Sequence, residues 1–392
     1  MGLLKIINDF ILFIFIFSMF NDNFMVDMFG DNILKAIMVL FIVTNISGII
    51  KGFAKSLTGI TRTFLILYAL LVGSMLIVEL RDLRVDLEAN IYLIIAIFVI
   101  FYYFAFYKEI EKILYFVWVS VMSSIVICYF NEPISPWTFR TTGGTGDPNE
   151  FAAQVVSFIF LSVYLYTKNR NIPFLLSSVI FGLYGLLKAG SKSAVLTLII
   201  LLLYIGLVRY RENLKAFLSI KSMIISILLV VAFIVFDVAN MKLIKDFMGR
   251  THSTATAEMR YKSWSAGWEM IKHNFWFGVG MGAFAEHNPK YLRKGYLDKS
   301  ARAAHNIYVK LFAESGALTF VAFLLFVGVL FKTHYFQIIH SDYFWLQAST
   351  LSYLIMGLTL GIFYDKYFWL SIAIYTNVVN TFREPEGEAV LA

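Results

Sequence analysis

Long apolar runs separated by short polar segments recur along nearly the whole chain. A helix needs about 20 apolar residues to cross the hydrocarbon core of a bilayer. In lipid, each backbone amide must also find a partner inside its own segment, which favours helices over open strands. The pattern therefore predicts about twelve membrane-spanning helices, with approximate bounds 3–20, 31–50, 60–79, 88–107, 112–130, 150–167, 172–189, 193–209, 219–237, 306–331, 343–363 and 366–382.

The composition agrees with this pattern. Hydrophobic residues make up 59% of the 392 residues and charged residues 15%, whereas soluble domains are roughly a quarter charged. The fold class expected is an all-α polytopic membrane protein. The first run lacks a small-residue cleavage site, so we expect it to be retained as a helix. The single cysteine, Cys128, lies in an apolar run, which predicts a packed thiol and excludes an internal disulfide.

Basic residues are distributed unequally between the two sides of the predicted membrane domain. The connections that follow even-numbered spans are mostly rich in Lys and Arg, which assigns them to the cytoplasm. The long segment 238–305, between spans nine and ten, is external in this topology, and its positive charge does not conflict because long translocated loops escape the rule. We predict a single transmembrane domain over 1–392, with 238–305 as an inserted loop.

Two features of this loop suggest local structure. Met259, Trp264, Trp268 and Ile271 recur at helical spacing, which is typical of a helix anchored in the membrane interface. The segment "GVGMG", 278–282, lacks the preceding strand and the spacing of a phosphate-binding loop, so we expect a flexible turn.

Polar candidates gather on the predicted external side. In "TFRTTGGTGDPNEFAAQ", Asp147 and Asn149 flank a proline at a helix start, for which capping is the favoured interpretation. The guanidinium of Arg140 suits a phosphate or pyrophosphate group, although contact with a lipid headgroup explains one arginine equally well.

The turn "LLKAGSKSAVL" joins two predicted spans. Gly190 permits the bend, Ser191 can donate a hydrogen bond, and Lys192 either extends to lipid headgroups or binds an anion. Four cations share the external side and could surround one anionic group: Arg140, Lys192, Arg260 and Arg302.

His305 directly precedes a predicted span, three residues after Arg302 and on the same face if the helix starts by then. A single histidine at an interface is more often structural. Positive neighbours, however, lower the pKa of an imidazole, which would leave it neutral near pH 7 and able to act as a general base. The same cations would offset charge on a departing pyrophosphate. We find no external carboxylate pair of the metal-binding kind, so neither a metal nor another cofactor is expected.

The segment starting at His305 carries a recognisable signature. His305-Asn306, nine residues, Gly316, two residues and Thr319 fit the ligase pattern of the O-antigen ligase and polymerase superfamily of bacterial envelope glycosyltransferases. The blocks "GDPNEFA", "GSKSA" and "MRYKSW…FGVGMGAF" also resemble superfamily blocks, in the same order, so that the resemblance covers roughly 137–320.

The resemblance implies a GT-C-like transferase of the bacterial inner membrane that needs neither metal nor nucleotide. Its donor would be a glycan on undecaprenyl pyrophosphate at the periplasmic face, and its acceptor the lipid A core of lipopolysaccharide. Membrane lipids would surround it, and no nucleic acid is expected as a partner. The family's proposed base falls on His305, and its pyrophosphate-contacting positions fall on Arg140, Lys192 and Arg260. The family usually has Arg where this chain has Lys192, which keeps the charge and loses a bidentate fork.

The two alternative functions are an O-antigen polymerase and a transporter. An O-antigen polymerase would use a second undecaprenyl-linked glycan as acceptor, and polymerases are described with Arg-x10-Gly elements. The residues eleven positions after Arg140, Arg260 and Arg302 are not glycine but Phe151, Ile271 and Ala313, which favours a ligase. A lipid or solute transporter is disfavoured because the predicted spans have few charges near their centres.

Overall fold

The computed structural model describes residues 2–55, 59–82, 87–130, 140–209, 254–292 and 303–382, and within these ranges it contains helices and no strand. A short 3₁₀ turn covers Ile362–Tyr364. The α-helices are α1 Gly2–Phe20, α2 Asp22–Phe29, α3 Ile33–Ala54, α4 Gly59–Asp82, α5 Leu87–Phe104, α6 Ile110–Phe130, α7 Pro148–Asn169, α8 Ile172–Ala189, α9 Lys192–Arg209, α10 Thr254–His273, α11 Phe284–Tyr291, α12 Ile307–Lys332, α13 Tyr335–Ile339, α14 Phe344–Met356 and α15 Lys366–Thr381.

Eight of the described helices are long and apolar enough to cross a membrane, namely α1, α3, α4, α6, α7, α8, α9 and α12. Helices α5 and α15 overlap two further predicted spans, whereas α14 covers only 344–356 of the predicted span 343–363. The ninth predicted span, 219–237, lies outside the described residues. The prediction of an all-α polytopic membrane protein is therefore confirmed.

The described residues fall into two compact units, the first within Met1–Thr44, Glu109–His252 and Phe336–Met356. In this first unit α7 packs against both α8 and α14. The hydroxyl oxygens of Ser157 in α7 and Ser349 in α14 lie 2.6 Å apart. Each buried hydroxyl thus has a hydrogen-bonding partner in the other. As predicted, Cys128 is a packed thiol: it is fully buried, and its Sγ lies 2.6 Å from the Thr141 hydroxyl.

The second unit lies within Asn45–Lys108, Ser253–Tyr335 and Gly357–Ala392. Here α12 packs against α4, and α15 packs against α5. The centre is aromatic: the ring of Phe64 stacks on that of Phe101 and meets Trp369 edge-on.

Within the second unit, α10, α11 and α12 enclose a small apolar cluster of their own. Small alanine side chains allow these three helices to approach closely. The buried members are Ala266, Met270, Ile271, Val279, Ala283, Phe284, Ala304 and Ala313. Of the predicted loop 238–305, the structure thus describes 254–292 and 303–305.

Candidate functional site

In the first unit, Arg140 is held against the C-terminal end of α8. Its Nε donates to the Ala189 carbonyl at 2.8 Å, and its Nη2 donates to Asn149 Oδ1 at 3.0 Å. The neighbouring Thr141 N–H donates to the Lys188 carbonyl at 3.0 Å. The last carbonyls of a helix have no partner within it and carry partial negative charge, so a guanidinium is well suited to this position.

Asp147 caps α7, as the sequence predicts. Its side chain accepts from the backbone N–H groups of Asn149 at 2.6 Å and Glu150 at 3.3 Å. Pro148 occupies the first turn, where a missing N–H has no cost. Asn149 has a second role because its side-chain oxygen also accepts from Arg140.

The turn between α8 and α9 completes this cluster. Gly190 ends α8 in the left-handed region, at a φ of 58°, as expected for the predicted bend. Ser191 is buried and its hydroxyl lies 3.1 Å from that of Ser193, while the exposed Lys192 is the first residue of α9. The first unit therefore brings together five residues predicted from the sequence: Arg140, Asp147, Asn149, Ser191 and Lys192.

In the second unit, His305 directly precedes the cap of α12. Its φ is +46°, in the left-handed region that residues other than glycine rarely occupy. On its N-terminal side, the Ala304 carbonyl accepts from Trp264 Nε1 at 2.8 Å. On its C-terminal side, the Ile307 N–H donates to the Gly357 carbonyl at 2.7 Å. The backbone is therefore held on both sides of the histidine.

Asn306 is the N-cap of α12. Its Oδ1 accepts from the N–H groups of Tyr308 at 2.9 Å and Val309 at 3.0 Å, and its Nδ2 donates to the Leu358 carbonyl at 3.0 Å. Because the helix starts only after this cap, the condition under which Arg302 and His305 would share a helical face is not met. Arg302 itself lies outside the described residues.

Gly316 produces a kink in α12 at a φ of +78°. A Cβ at this position would collide with the Trp276 carbonyl. The turn at 278–282 packs closely against this kink and is hydrogen-bonded to it, so the expectation of a flexible turn is wrong. The backbone bonds are Val279 N–H to Ala313 O (2.9 Å), Gly280 N–H to Glu314 O (3.0 Å) and Ala317 N–H to Phe275 O (2.8 Å).

Sequence reasoning missed Glu314, which is only 1% exposed. Its Oε1 accepts from the Phe284 N–H at 3.0 Å, which attaches the start of α11 to α12. The available signal was that Glu314 is an acidic residue in an apolar run. A carboxylate in a membrane span needs a hydrogen-bonding or charged partner, which would have indicated a buried contact.

The predicted interfacial stripe on α10 is divided between two faces. Met259 and Trp268 are exposed, at 43% and 53%, as a lipid-facing stripe requires. Ile271 is buried, and the indole of Trp264 bonds to Ala304. The prediction of a helix is confirmed, and the four residues do not form one exposed stripe because α12 covers part of the helix.

Arg260 lies on α10, about one turn before Trp264. Ser263 Oγ donates to the Ala303 carbonyl at 2.8 Å, and Trp264 bonds to the next carbonyl along the chain. Gly267 packs against Val309 further along, so α10 and α12 run in parallel. Arg260 therefore occupies the same end of this helix pair as His305.

Among the described residues, no group of three or more His, Cys, Asp or Glu side chains could hold a metal ion. The apolar spans and the polar clusters at helix ends define a polytopic α-helical membrane protein.

Part of the chain is similar to a known family of membrane proteins. Residues 176–324 match the model of a family described as O-antigen ligase. This match confirms the resemblance to the O-antigen ligase superfamily, whose members act in O-antigen and polysaccharide assembly. It includes the "GSKSA" block and the His305 signature, whereas "GDPNEFA" precedes it. A search of curated proteins finds no match.

Proposed function

We propose that this protein is a glycosyltransferase that moves a glycan from undecaprenyl pyrophosphate to the lipid A core at the periplasmic face of the inner membrane. The observation that carries the proposal is the position of His305. It lies inside the segment that matches the O-antigen ligase family, and hydrogen bonds hold the backbone on both of its sides.

In this mechanism His305 takes the proton from an acceptor hydroxyl. The resulting oxygen nucleophile attacks the anomeric carbon of the donor sugar, the bond from that carbon to the pyrophosphate oxygen breaks, and undecaprenyl pyrophosphate leaves with the bonding electrons. Two features of the second unit favour this chemistry. His305 is partly exposed. It also adjoins the N-terminus of the 26-residue α12, which is the end at which a helix dipole carries partial positive charge.

Cations of this chain are proposed to contact the donor pyrophosphate: Arg140, Lys192, Arg260 and Arg302. Support comes from Lys192, since a lysine at the first position of a helix opposes the positive dipole end and is stabilised there by an anion. The guanidinium of Arg140 donates hydrogen bonds to the Ala189 carbonyl and to Asn149. We propose that these bonds also shape the site that binds the glycan donor. No metal or other cofactor is invoked.

Three further features belong to the same proposal. The membrane domain is GT-C-like and single over 1–392, the loop 238–305 is periplasmic, and lipid surrounds the spans. Segment 238–305 includes α10, whose exposed Trp268 is compatible with contact at headgroup depth.

Reconstitution tests the reaction itself. Purified full-length protein in lipid nanodiscs would receive undecaprenyl-pyrophosphate glycan together with either lipid A core or a second donor molecule. Glycan joined to lipid A core supports the ligase. Lengthened glycan that stays on undecaprenyl pyrophosphate identifies the polymerase alternative, and no transfer to either acceptor contradicts both.

The first prediction concerns the base. His305→Ala should reduce transfer by about 100-fold or more, since a general base typically contributes 10²- to 10⁴-fold. Product formation per mole of protein is the measurement. The exposed His273 of α10 gives a matched control, and His273→Ala should retain wild-type activity. Full transfer by His305→Ala would reject the general-base role.

A further inference from the structure

The φ of His305 is the rotation between the peptide group that precedes it and the rest of the residue. That planar group contains the Ala304 carbonyl oxygen together with the His305 nitrogen. When the chain after His305 is also held, an interaction that fixes the direction of the Ala304 carbonyl therefore limits the φ of His305, which is +46°. This φ in turn sets the direction in which the Cβ and the imidazole leave the backbone.

Trp264 makes that interaction. Its indole Nε1 donates to the Ala304 carbonyl at 2.8 Å, and Ala304 is only 1% exposed. An indole has a single donor and no acceptor, so this bond has one possible direction. Because the carbonyl is sheltered from water, solvent cannot readily replace the indole as its partner.

The other side of the histidine is fixed independently. The Ile307 N–H bonds to the Gly357 carbonyl, and the Asn306 side chain bonds to the Leu358 carbonyl. A non-glycine residue in a sparsely populated conformation persists when its surroundings over-determine it, and such residues cluster at functional sites. The contacts of Trp264 and of the segment 357–358 together provide this constraint.

We infer that Trp264 is a positioning residue for the transfer reaction: its indole N–H fixes the peptide plane before His305 and thereby aims the imidazole. The inference rests on the proposed function, because it assigns to Trp264 an effect that acts through the proposed base. Ser263 bonds one carbonyl further away, at Ala303, and should therefore have a weaker effect on the histidine.

The test compares Trp264→Phe with Trp268→Phe in the reconstituted full-length protein. The first change removes the N–H that bonds to Ala304 and keeps an aromatic ring at this position. The second removes the same group from an exposed tryptophan one turn later on the same helix. A misplacement of about 1 Å can cost on the order of 100-fold in rate. We therefore expect Trp264→Phe to lower kcat by about tenfold or more, with donor and acceptor KM changed by less than about twofold. Trp268→Phe should match the wild type.

A double mutant separates positioning from general stability. If Trp264 acts through the imidazole, adding Trp264→Phe to His305→Ala should leave the residual transfer unchanged. If the indole only stabilises the fold, the second change would lower activity equally in both backgrounds, and this result would overturn the inference. All rates are referred to the amount of monodisperse protein.

An isosteric change covers the case in which the phenylalanine variant fails to fold. Replacement of Trp264 by 3-(benzothiophen-3-yl)alanine preserves the bicyclic shape and lacks only the N–H, and it should show the same loss of kcat. Wild-type turnover of this variant, with His305→Ala inactive, overturns the inference and leaves the proposed function intact. Full transfer by His305→Ala contradicts the proposed function and the inference with it.

Discussion

Two joints of this protein, one in each unit, are built by different means. In the first unit, side chains hold backbone groups at helix ends: Arg140 binds the last carbonyl of α8, and Asp147 caps α7. In the second unit, the turn at 278–282 meets α12 through backbone hydrogen bonds, and Gly278 and Gly316 allow the chains to approach. Conservative substitutions can weaken the side-chain joint in steps. The backbone joint has no such range, because a Cβ at Gly278 or Gly316 would collide with the opposite backbone.

The largest effect expected from this difference is that of Gly316→Ala. The new Cβ would overlap the Trp276 carbonyl, and alanine is also strained at a φ of +78°. We expect most of the folded protein to be lost, as measured by size-exclusion chromatography of the detergent-solubilised membrane fraction.

Gly328→Ala is the matched control for this prediction. It lies on the same helix, and a Cβ there meets no heavy atom within 4 Å. Its yield and thermal midpoint should equal or exceed those of the wild type, because alanine is the better helix former. Equal behaviour of the two variants would show that the backbone joint tolerates a side chain.

The next effect in size concerns the side-chain joint. Arg140→Ala should weaken use of the glycan donor, because the bonds of its guanidinium to Ala189 and Asn149 disappear. Arg140→Lys should recover only part of the activity, since one ammonium cannot reproduce the planar fork. The initial rate as a function of donor concentration is the measurement.

Lys192→Arg is a conservative change in the same cluster, to be compared with the changes at Arg140. It keeps a positive charge at the start of α9, so use of the glycan donor should be unchanged. A loss of activity in this variant would argue against contact between residue 192 and pyrophosphate.

The smallest effects expected are those of the two caps. Asp147→Ala and Asn306→Ala should each destabilise the protein by about 1 kcal/mol, as for other N-caps. Asn306→Ala should cost more because its bond to the Leu358 carbonyl is also lost. Thermal unfolding in detergent measures both, and Asn306→Ser, which keeps a capping oxygen, should recover part of the loss. A greater loss for Asp147→Ala would reverse the proposed ranking.

Much of the local structure was predictable because it depends on neighbours in sequence. The apolar runs fixed the helices to within a few residues, as α8 and α9 illustrate. Asp147 next to Pro148 signals a cap, and Gly190 between two apolar runs signals a left-handed helix end. In each case the hydrogen-bonding partner lies within four residues, so the pattern alone contains the information.

Contacts between distant segments were not predictable in the same way. Periodicity placed Trp264 on an interfacial helix, but it could not identify the partner Ala304, which is 40 residues away. The bond from Phe284 to Glu314 spans 30 residues, and the turn at 278–282 is hydrogen-bonded to α12, more than 30 residues further along the chain.

The sequence by itself therefore determined that this is a helical membrane protein, where most of its helices lie, and that His305 begins a ligase-like signature. Only the tertiary structure decided that the histidine adopts a left-handed backbone and that Trp264 holds the preceding carbonyl. The physical reason is that helix formation is satisfied by hydrogen bonds within a segment, whereas the direction of a side chain at a helix end depends on which other segments supply its remaining partners.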